Sequence, residues 1–318
     1  MDKPKTKITR DQFEARLALR DHAPRLVAWT PTSTVLEWGT LADAVHNARM
    51  GDAYMHPEGA RAWGAYLADH PKGERSWHGG VKDADDWDAV VRDPGDKLRS
   101  RVEACMAQLD ALPSPFTPQP RRRNVRGLDE GDHLDVLRMQ ADLNWDRAWS
   151  ERKRRNALRP SLRVLLNGGI NCSLGQDAIA WRGAVALAIA RRAEDAGATV
   201  EVLLANNWEG GASDNPERAV VSSWPIKSMG EFADRDLLTA YCCHLGSFRW
   251  FAWVLSAQNL QGDRVDYAWG RMGRMQEAAR HLNADILIDY DCITKEAAAR
   301  TLANAARVIE ERQRACAT

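Results

Sequence analysis

Short apolar runs alternate with longer amphipathic stretches through the second half of the chain. Apolar runs of five or six residues bounded by turn residues predict buried strands, and they lie at 162–166, 199–204, 218–222 and 284–289. Stretches with helical spacing predict helices, and they cover 177–196, 232–257, 272–282 and 295–313. Gly246 predicts a break in the second helix, Gly197 a C-terminal cap for the first, and Thr294 an N-cap for the last.

The order of these elements, β-α-β-β-α-α-β-α, predicts the fold class. Strands separated by helices pair in parallel through right-handed crossovers. The second and third strands have only a loop between them, so we expect them to pair antiparallel and to put one strand at an edge. We therefore predict an α/β fold, a Rossmann-like and mostly parallel sheet with an antiparallel edge strand, in a domain over 161–318.

The first part of the chain has a different pattern. Residues 1–112 predict a mainly helical, Trp-rich region, with helical spacing at 41–50, 57–70 and 96–112. Four prolines then fall within the eight residues Pro113–Pro120, which cannot hold a helix and favour an extended path. Residues 113–160 are therefore predicted to be a Pro-rich connector followed by an Arg-rich segment.

Composition narrows the class of protein. Lys plus Arg equals Asp plus Glu at 44 each, so any charged partner must be met by a local patch. The six cysteines form no C-x-x-C pair, which favours a reduced, cytoplasmic protein without a zinc site. The polar N-terminus predicts no signal peptide, and the longest apolar run, 184–190, is too short to span a membrane.

Tryptophan is unusually frequent, at 13 residues against 5 Phe and 5 Tyr. Its large apolar ring system and its N–H group suit cores, interfaces and stacking sites alike. We expect the tryptophans of the predicted helices to supply core packing. Trp145 and Trp149, beside the arginines, and Trp208, in the loop predicted after the second strand, remain as functional candidates.

The turn after the first predicted strand resembles a sequence motif of a known domain family. It reads Asn167-Gly-Gly-Ile-Asn-Cys-Ser173, and with the element order it resembles a von Willebrand factor A domain over about 150 residues. That family has Asp-x-Ser-x-Ser here, which completes a divalent-ion adhesion site. Asn167 takes the Asp position, and Gly169 and Asn171 take the two Ser positions, so no carboxylate remains. Because Mg²⁺ prefers carboxylates, the resemblance implies a degenerate site with neither metal nor cofactor.

A looser likeness extends over nearly the whole chain. The sequence is similar to an uncharacterised family of phage and prophage proteins with a degenerate von Willebrand A-like C-terminal half. The similarity rests on four segments: Trp181-Arg182-Gly183, Ala196-Gly197, His244–Arg249 and the Arg-rich stretch Arg121–Arg126. It implies a phage-encoded protein and brings no activity with it. A Gly-x-Pro turn expected shortly after Val136 is absent from this sequence.

A polar crevice is expected where the parallel strands end, because open α/β sheets bind ligands at that edge. The candidate residues are Asn167, Gly168, Gly169, Asn171, Ser173, Asp289 and Asp291. They suit an anion or a carboxylate of a partner, although a tight turn that needs glycine explains the first loop more simply. We expect Asp289 and Asp291 on one side of the fourth strand, near the edge of the crevice. Three interpretations stay open: they supply the carboxylates that the first loop lacks, they act as a general acid–base pair, or they only form a strand end leading into the last helix. No Ser/His/Asp or Cys/His set is recognisable, so the leading hypothesis is a non-enzymatic recognition or scaffold protein.

The alternative is a protein that binds RNA or single-stranded DNA. Arginines beside indole rings combine phosphate neutralisation with base stacking. The candidate residues are Arg121, Arg122, Arg123, Arg126, Trp145, Trp149, Arg152, Lys153, Arg154 and Arg155. The helical spacing of the two tryptophans places both rings on one side. Ro-like RNA-binding proteins also carry a von Willebrand A-like domain. Acidic residues close to these arginines in sequence, such as Asp129 and Glu130, favour the simpler interpretation that the arginines form ion pairs within the protein.

Overall fold

The structure is a computed structural model. The residues it describes are 9–19, 21–54, 79–112, 124–128, 133–134, 149–152, 160–169, 176–209, 219–231, 234–251, 254–255 and 275–317.

The described residues form nine strands, eight α-helices and one π-helical turn. The strands are β1 (Arg25–Trp29), β2 (Ser33–Glu37), β3 (Asn124–Leu128), β4 (His133–Leu134), β5 (Trp149–Arg152), β6 (Ser161–Asn167), β7 (Thr199–Glu209), β8 (Ala219–Lys227) and β9 (Ile286–Ile288). The α-helices are α1 (Arg10–Ala18), α2 (Leu41–Tyr54), α3 (Ala84–Arg92), α4 (Asp96–Asp110), α5 (Gln176–Asp195), α6 (Arg235–Cys243), α7 (Met275–His281) and α8 (Lys295–Ala317). A π-helical turn, Ser247–Phe251, follows α6.

A mixed six-stranded sheet forms the centre of the fold, in the order β1-β2-β8-β7-β6-β9. Three pairs are parallel, namely β2 with β8, β6 with β7, and β6 with β9. The pairs β1–β2 and β7–β8 are antiparallel. The α/β class and the mostly parallel sheet with an antiparallel edge strand are therefore confirmed. All four strands predicted from apolar runs lie in this sheet.

The edge of the sheet differs from the prediction. The predicted hairpin β7–β8 is present, but β8 is an inner strand because β2 pairs with its other side. The antiparallel edge strand is β1, and it comes from the region predicted to be mainly helical. Strand β2 was missed because its sequence, Ser-Thr-Val-Leu-Glu, is buried at every position and so shows no alternation of apolar and polar residues.

The boundaries of the helices follow local signals in the sequence. Gly197 adopts φ +89°, and Ala198 donates its N–H to the Ala193 carbonyl, which is the expected glycine cap after α5. Thr294 accepts from the Ala297 N–H and caps α8. Helix α6 ends at Cys243, before Gly246. These three predictions are confirmed, and so are the helices predicted at 41–50 and 96–112. The helix predicted at 57–70 lies outside the described residues.

One face of the sheet carries the larger core. Helices α5, α6 and α8 contribute apolar side chains to it, together with the alternate residues Leu162, Val164 and Leu166 of β6. Four buried tryptophans lie in the same cluster, and they are Trp38, Trp87, Trp224 and Trp250. Trp38 meets Trp224 edge to face at 6.3 Å between ring centroids. These indoles therefore supply core packing.

The opposite face combines a smaller core with an ion network. Helix α7 packs there against Leu165, Leu203 and other apolar residues of the sheet. Arg163 donates from Nε to Glu201 Oε2 at 2.5 Å and from Nη2 to the Glu37 carboxylate. Because Glu37 is the last residue of β2, this network fixes the N-terminal hairpin to β6 and β7.

A second, three-stranded antiparallel sheet has the order β3-β5-β4. It lies within the segment predicted to be a connector followed by an Arg-rich run, and residues 113–123 of that segment are outside the described residues. Because β1 and β2 join the central sheet, that sheet takes strands from both the predicted N-terminal region and the predicted α/β domain. None of the helices in the described part of the chain is long and apolar enough to cross a membrane.

Candidate functional site at the carboxyl edge of the sheet

Asn167 joins the ends of two neighbouring parallel strands. It is the last residue of β6 and is 1% exposed, and its Nδ2 donates to Asp289 Oδ1, beyond the end of β9, at 2.6 Å. Its Oδ1 accepts from the Gly169 N–H at 2.7 Å. Only this orientation of the amide satisfies both contacts, because the carboxylate can only accept and the N–H can only donate. The structure thus brings three of the candidate crevice residues together.

The turn that follows β6 favours glycine. A Cβ atom on Gly169 would lie 2.9 Å from Asn167 Oδ1, so the Asn167 side chain would have to move from its hydrogen-bonded position. Gly168 continues the ladder, since its N–H donates to the Ala205 carbonyl at 2.6 Å. The simple interpretation of this loop as a tight turn therefore has a physical basis. Asn171 and Ser173 lie outside the described residues.

A buried arginine supports this turn. Arg182 of α5 is 0% exposed, and its Nη1 donates to the Asn167 and Gly169 carbonyls, each at 2.9 Å. Burial lowers the pKa of its guanidinium to about 10, while Cys292 and Asp289 act in the opposite direction. The side chain stays cationic at neutral pH and places a positive charge beneath the crevice. Sequence reasoning missed this role, although an Arg inside an otherwise apolar helix stripe was a readable signal.

Asp289 acts as an anchor for three elements. Its carboxylate accepts from Asn167, from Gln276 Nε2 of α7 at 2.8 Å, and from the Tyr290 N–H at 2.8 Å. Asp291 is exposed, and its backbone carbonyl accepts from the Ile293 N–H at 2.9 Å. Strand β9 ends at Ile288, so the expectation that both aspartates lie on one side of that strand is wrong. They lie on the turn after it, in different environments.

Tyr290 is the exposed aromatic residue of that turn. It is 39% exposed, between the half-buried Asp289 and the exposed Asp291. The turn is held from both ends, because the Asp289 carbonyl also accepts from the Cys292 N–H at 3.1 Å. Sequence reasoning did not single out this tyrosine, although a Tyr between two aspartates after a buried strand is a visible pattern.

A second polar cluster lies at the same edge. The hydroxyl groups of Thr30, Thr32 and Ser33, in the turn between β1 and β2 and at the start of β2, donate to the Glu277 carboxylate at 3.1–3.2 Å. Partial burial works against ionisation, but these hydroxyls, led by Ser33, keep the pKa of the Glu277 carboxyl below its usual range. The cluster fastens α7 to the hairpin of β1 and β2.

The predicted nucleic-acid residues are only partly described. Arg121, Arg122, Arg123, Trp145, Lys153, Arg154 and Arg155 lie outside the described residues. Trp149 and Arg152 belong to strand β5, and Arg126 belongs to β3, where it pairs with Ser150. The expectation of a helix that carries Trp149 is therefore wrong. Trp208 lies in β7, in register with Val220, and not in a loop.

The fold and this edge define a mixed α/β protein in which polar side chains are hydrogen-bonded to one another beyond the ends of β6 and β9. Residues 37–313 match the family described as Domain of unknown function (DUF7192), and the chain belongs to that family. No curated protein and no solved structure gives a significant match. Within the described residues, no group of three His, Cys, Asp or Glu side chains is placed to hold a metal ion.

Proposed function

We propose that this protein is a non-enzymatic recognition or scaffold protein that binds a protein partner through the crevice at the carboxyl edge of its sheet. The observation that carries the proposal is the fixed turn that presents Tyr290, 39% exposed, beside Asp291. Exposed aromatic residues on rigid supports provide much of the affinity of protein interfaces. A turn that is already ordered loses little entropy on binding.

The chemistry of the turn that carries Tyr290 and Asp291 favours a basic side chain of the partner. Tyr290 offers a ring face, and Asp291 next to it offers an exposed carboxylate. A lysine or arginine can lie over such a ring while its charge is balanced by the carboxylate. Asp289 is occupied by three donors from the protein, which favours a role in holding the crevice together over a role as a general base.

The same proposal includes the finer assignment of fold and origin. We infer a degenerate von Willebrand A-like domain encoded by a phage. The strand order around β6, and the position of Asn167 where that family has Asp, support the assignment. The direct bond from Asn167 to Asp289 fits a site that has no need of a cation between the two side chains.

Site-specific photo-crosslinking tests the proposal. A photoreactive phenylalanine analogue placed at Tyr290 is expected to trap a protein partner in cells that naturally express the chain. The matched control places the same analogue at Met229, which is 46% exposed in the turn after β8, at the opposite edge of the sheet. We expect the product at position 290 only, and we expect Gly169→Val to abolish it. The same products from both positions, or none from position 290, would refute the proposal.

The second candidate function is binding of RNA or single-stranded DNA. One observation favours it: Arg126 and Arg152 lie on the neighbouring antiparallel strands β3 and β5, so two of the candidate arginines belong to one small sheet. Fluorescence polarisation with a labelled single-stranded oligonucleotide tests it. Affinity is expected to fall steeply with salt, and to fall further when Arg121, Arg122 and Arg123 are changed to Ala. Absence of binding at low salt rules this function out.

A further inference from the structure

Two imidazole rings lie side by side on the surface, far along the chain from the crevice residues. His22 belongs to the turn before β1, and His46 belongs to α2. Their ring centroids are 4.3 Å apart, with an angle of 49° between the planes. Both residues are exposed. The turn before β1 and helix α2 are joined here by polar contacts.

Asp43 fixes the orientation of the first ring. Its Oδ1 lies 2.6 Å from His22 Nδ1, and its Oδ2 accepts from Thr40 Oγ1 at 2.7 Å. The hydrogen bonds from Thr40 and then from His22 hold the pKa of the Asp43 carboxyl below its usual range, so it is an anion at neutral pH. A neutral His22 donates its Nδ1 proton to this carboxylate, which leaves the lone pair on Nε2.

The backbone of His22 is also constrained. It adopts φ +58°, in the left-handed region where His, like Asn and Asp, is found more often than other residues except glycine. Its carbonyl accepts from Asn47 Nδ2 at 2.5 Å. Asp43, His46 and Asn47 lie three and four residues apart on α2 and so share one side of that helix.

We propose that His22 and His46 form a binding site for a divalent transition-metal ion of the kind that prefers neutral imidazole. Histidines that bind metals commonly donate their second ring nitrogen to a carboxylate, as His22 does to Asp43. Tetrahedral coordination at about 2.0–2.1 Å places two ligand nitrogens about 3.3 Å apart, and the centroids of these two rings are 4.3 Å apart. Water completes the coordination, because no third His, Cys, Asp or Glu side chain among the described residues is placed to join the two imidazoles as a ligand.

Zinc binding by the full chain tests this site. We titrate the chain with zinc chloride in a calorimeter, in a buffer that does not chelate metals. The wild type is expected to bind one equivalent of zinc per chain more than His46→Ala does at saturation. His22→Asn is expected to lose the same equivalent, because Asn tolerates positive φ and removes only the imidazole. Asp43→Asn is expected to weaken that equivalent about 10–100-fold, as loss of an orienting carboxylate does elsewhere.

A matched variant controls for other histidines. His281→Ala removes an imidazole that also lies beside a carboxylate, Glu277, at 3.8 Å, and we expect it to retain the equivalent. His46 is exposed on a helix, so His46→Ala is expected to fold, and the far-ultraviolet circular dichroism spectrum checks that each variant does so. Equal zinc stoichiometry and affinity in the wild type and His46→Ala would overturn the proposal.

Discussion

Asn167 donates its side-chain amide to the carboxylate of Asp289 over 2.6 Å, and this bond joins the ends of β6 and β9. The same amide accepts from the Gly169 backbone, so a single buried side chain sets both the turn after one strand and the turn after the next. A neutral donor at this position lets a carboxylate lie against the strand end without a second charge. The geometry of the crevice therefore depends on residue 167 being an amide.

Changing Asn167 to Asp should make stability depend on pH. The variant places two carboxylates against each other, and such a pair requires a shared proton or a cation. We expect Asn167→Asp to lower the free energy of unfolding by at least about 2 kcal/mol at pH 8, and by less at pH 5, where a proton is available. Urea denaturation at the two pH values measures this difference.

Asn167→Ala is the control for that experiment. It removes the same two hydrogen bonds without adding a charge, so its cost should be similar at both pH values. An equal pH dependence in the two variants would contradict the account of the crevice. Added Mg²⁺ should stabilise Asn167→Asp more than Asn167→Ala, because only the former offers two carboxylates to the ion.

Replacement of Arg182 should loosen the crevice from beneath. Arg182→Met leaves the Asn167 and Gly169 carbonyls without this donor, and we expect a loss of about 1–3 kcal/mol in the free energy of unfolding. The loss is smaller than for a broken buried ion pair, because the cost of burying the guanidinium disappears with it. Arg191→Met on the same helix is the control. Arg191 is half exposed and pairs with Asp110, so its loss should cost less than about 1 kcal/mol. Equal costs would argue against a special role for Arg182.

The pattern of apolar residues predicted four of the six strands of the central sheet, because each of these strands is an apolar run that can be recognised from its own sequence. The run Leu162–Leu166 and the glycine cap at Gly197 are signals that each segment carries within itself. Strand β2 was missed because its polar residues are buried by distant partners. Ser33 donates to Glu277, 244 residues away, and Glu37 accepts from Arg163, 126 residues away. No short window of sequence contains such pairings.

The residues of the candidate site were also predicted only where the signal lies within a short segment of sequence. The glycines in the turn after a buried strand drew attention to Asn167 and Gly169, and the end of the fourth predicted strand drew attention to Asp289, and these three residues are in contact in the structure. Arg182 was missed because arginine is seldom buried and its acceptors here are backbone carbonyls, which have no sequence signature. The role of Asp289 also depends on Gln276 of α7, whose proximity follows only from the complete fold.

Gly183 marks a close approach of two helices and offers a third prediction. A Cβ atom there would lie 2.0 Å from Cys243 Sγ and 2.6 Å from the Cys242 carbonyl oxygen. We expect Gly183→Ala to destabilise the fold by about 1–3 kcal/mol, because helices α5 and α6 must separate to admit a methyl group. Gly39→Ala is the control, since its nearest neighbour is 4.0 Å away. Thermal unfolding of both variants measures the effect, and a neutral Gly183→Ala would show that this contact is not tight.

His244 should make the folded protein sensitive to acid. Burial lowers the pKa of its imidazole to about 4, and its Nδ1 accepts from the Gly246 N–H at 3.0 Å, which requires the neutral ring. The unfolded chain takes up this proton near pH 6.5, whereas the folded chain does so only near pH 4. The contribution of His244 to stability is therefore complete above about pH 6.5, and it is lost as the pH falls from there towards 4. We expect that loss to be on the order of 2–3 kcal/mol.

His244→Asn isolates this contribution. The Asn Oδ1 can accept from Gly246 as Nδ1 does, but the side chain does not titrate. Urea denaturation at pH 7 and pH 4.5 should show a larger loss of stability for the wild type than for the variant, and the difference between the two losses measures the share of His244. Identical losses would mean that protonation of this histidine is not coupled to unfolding, and that other groups account for the acid sensitivity of the protein.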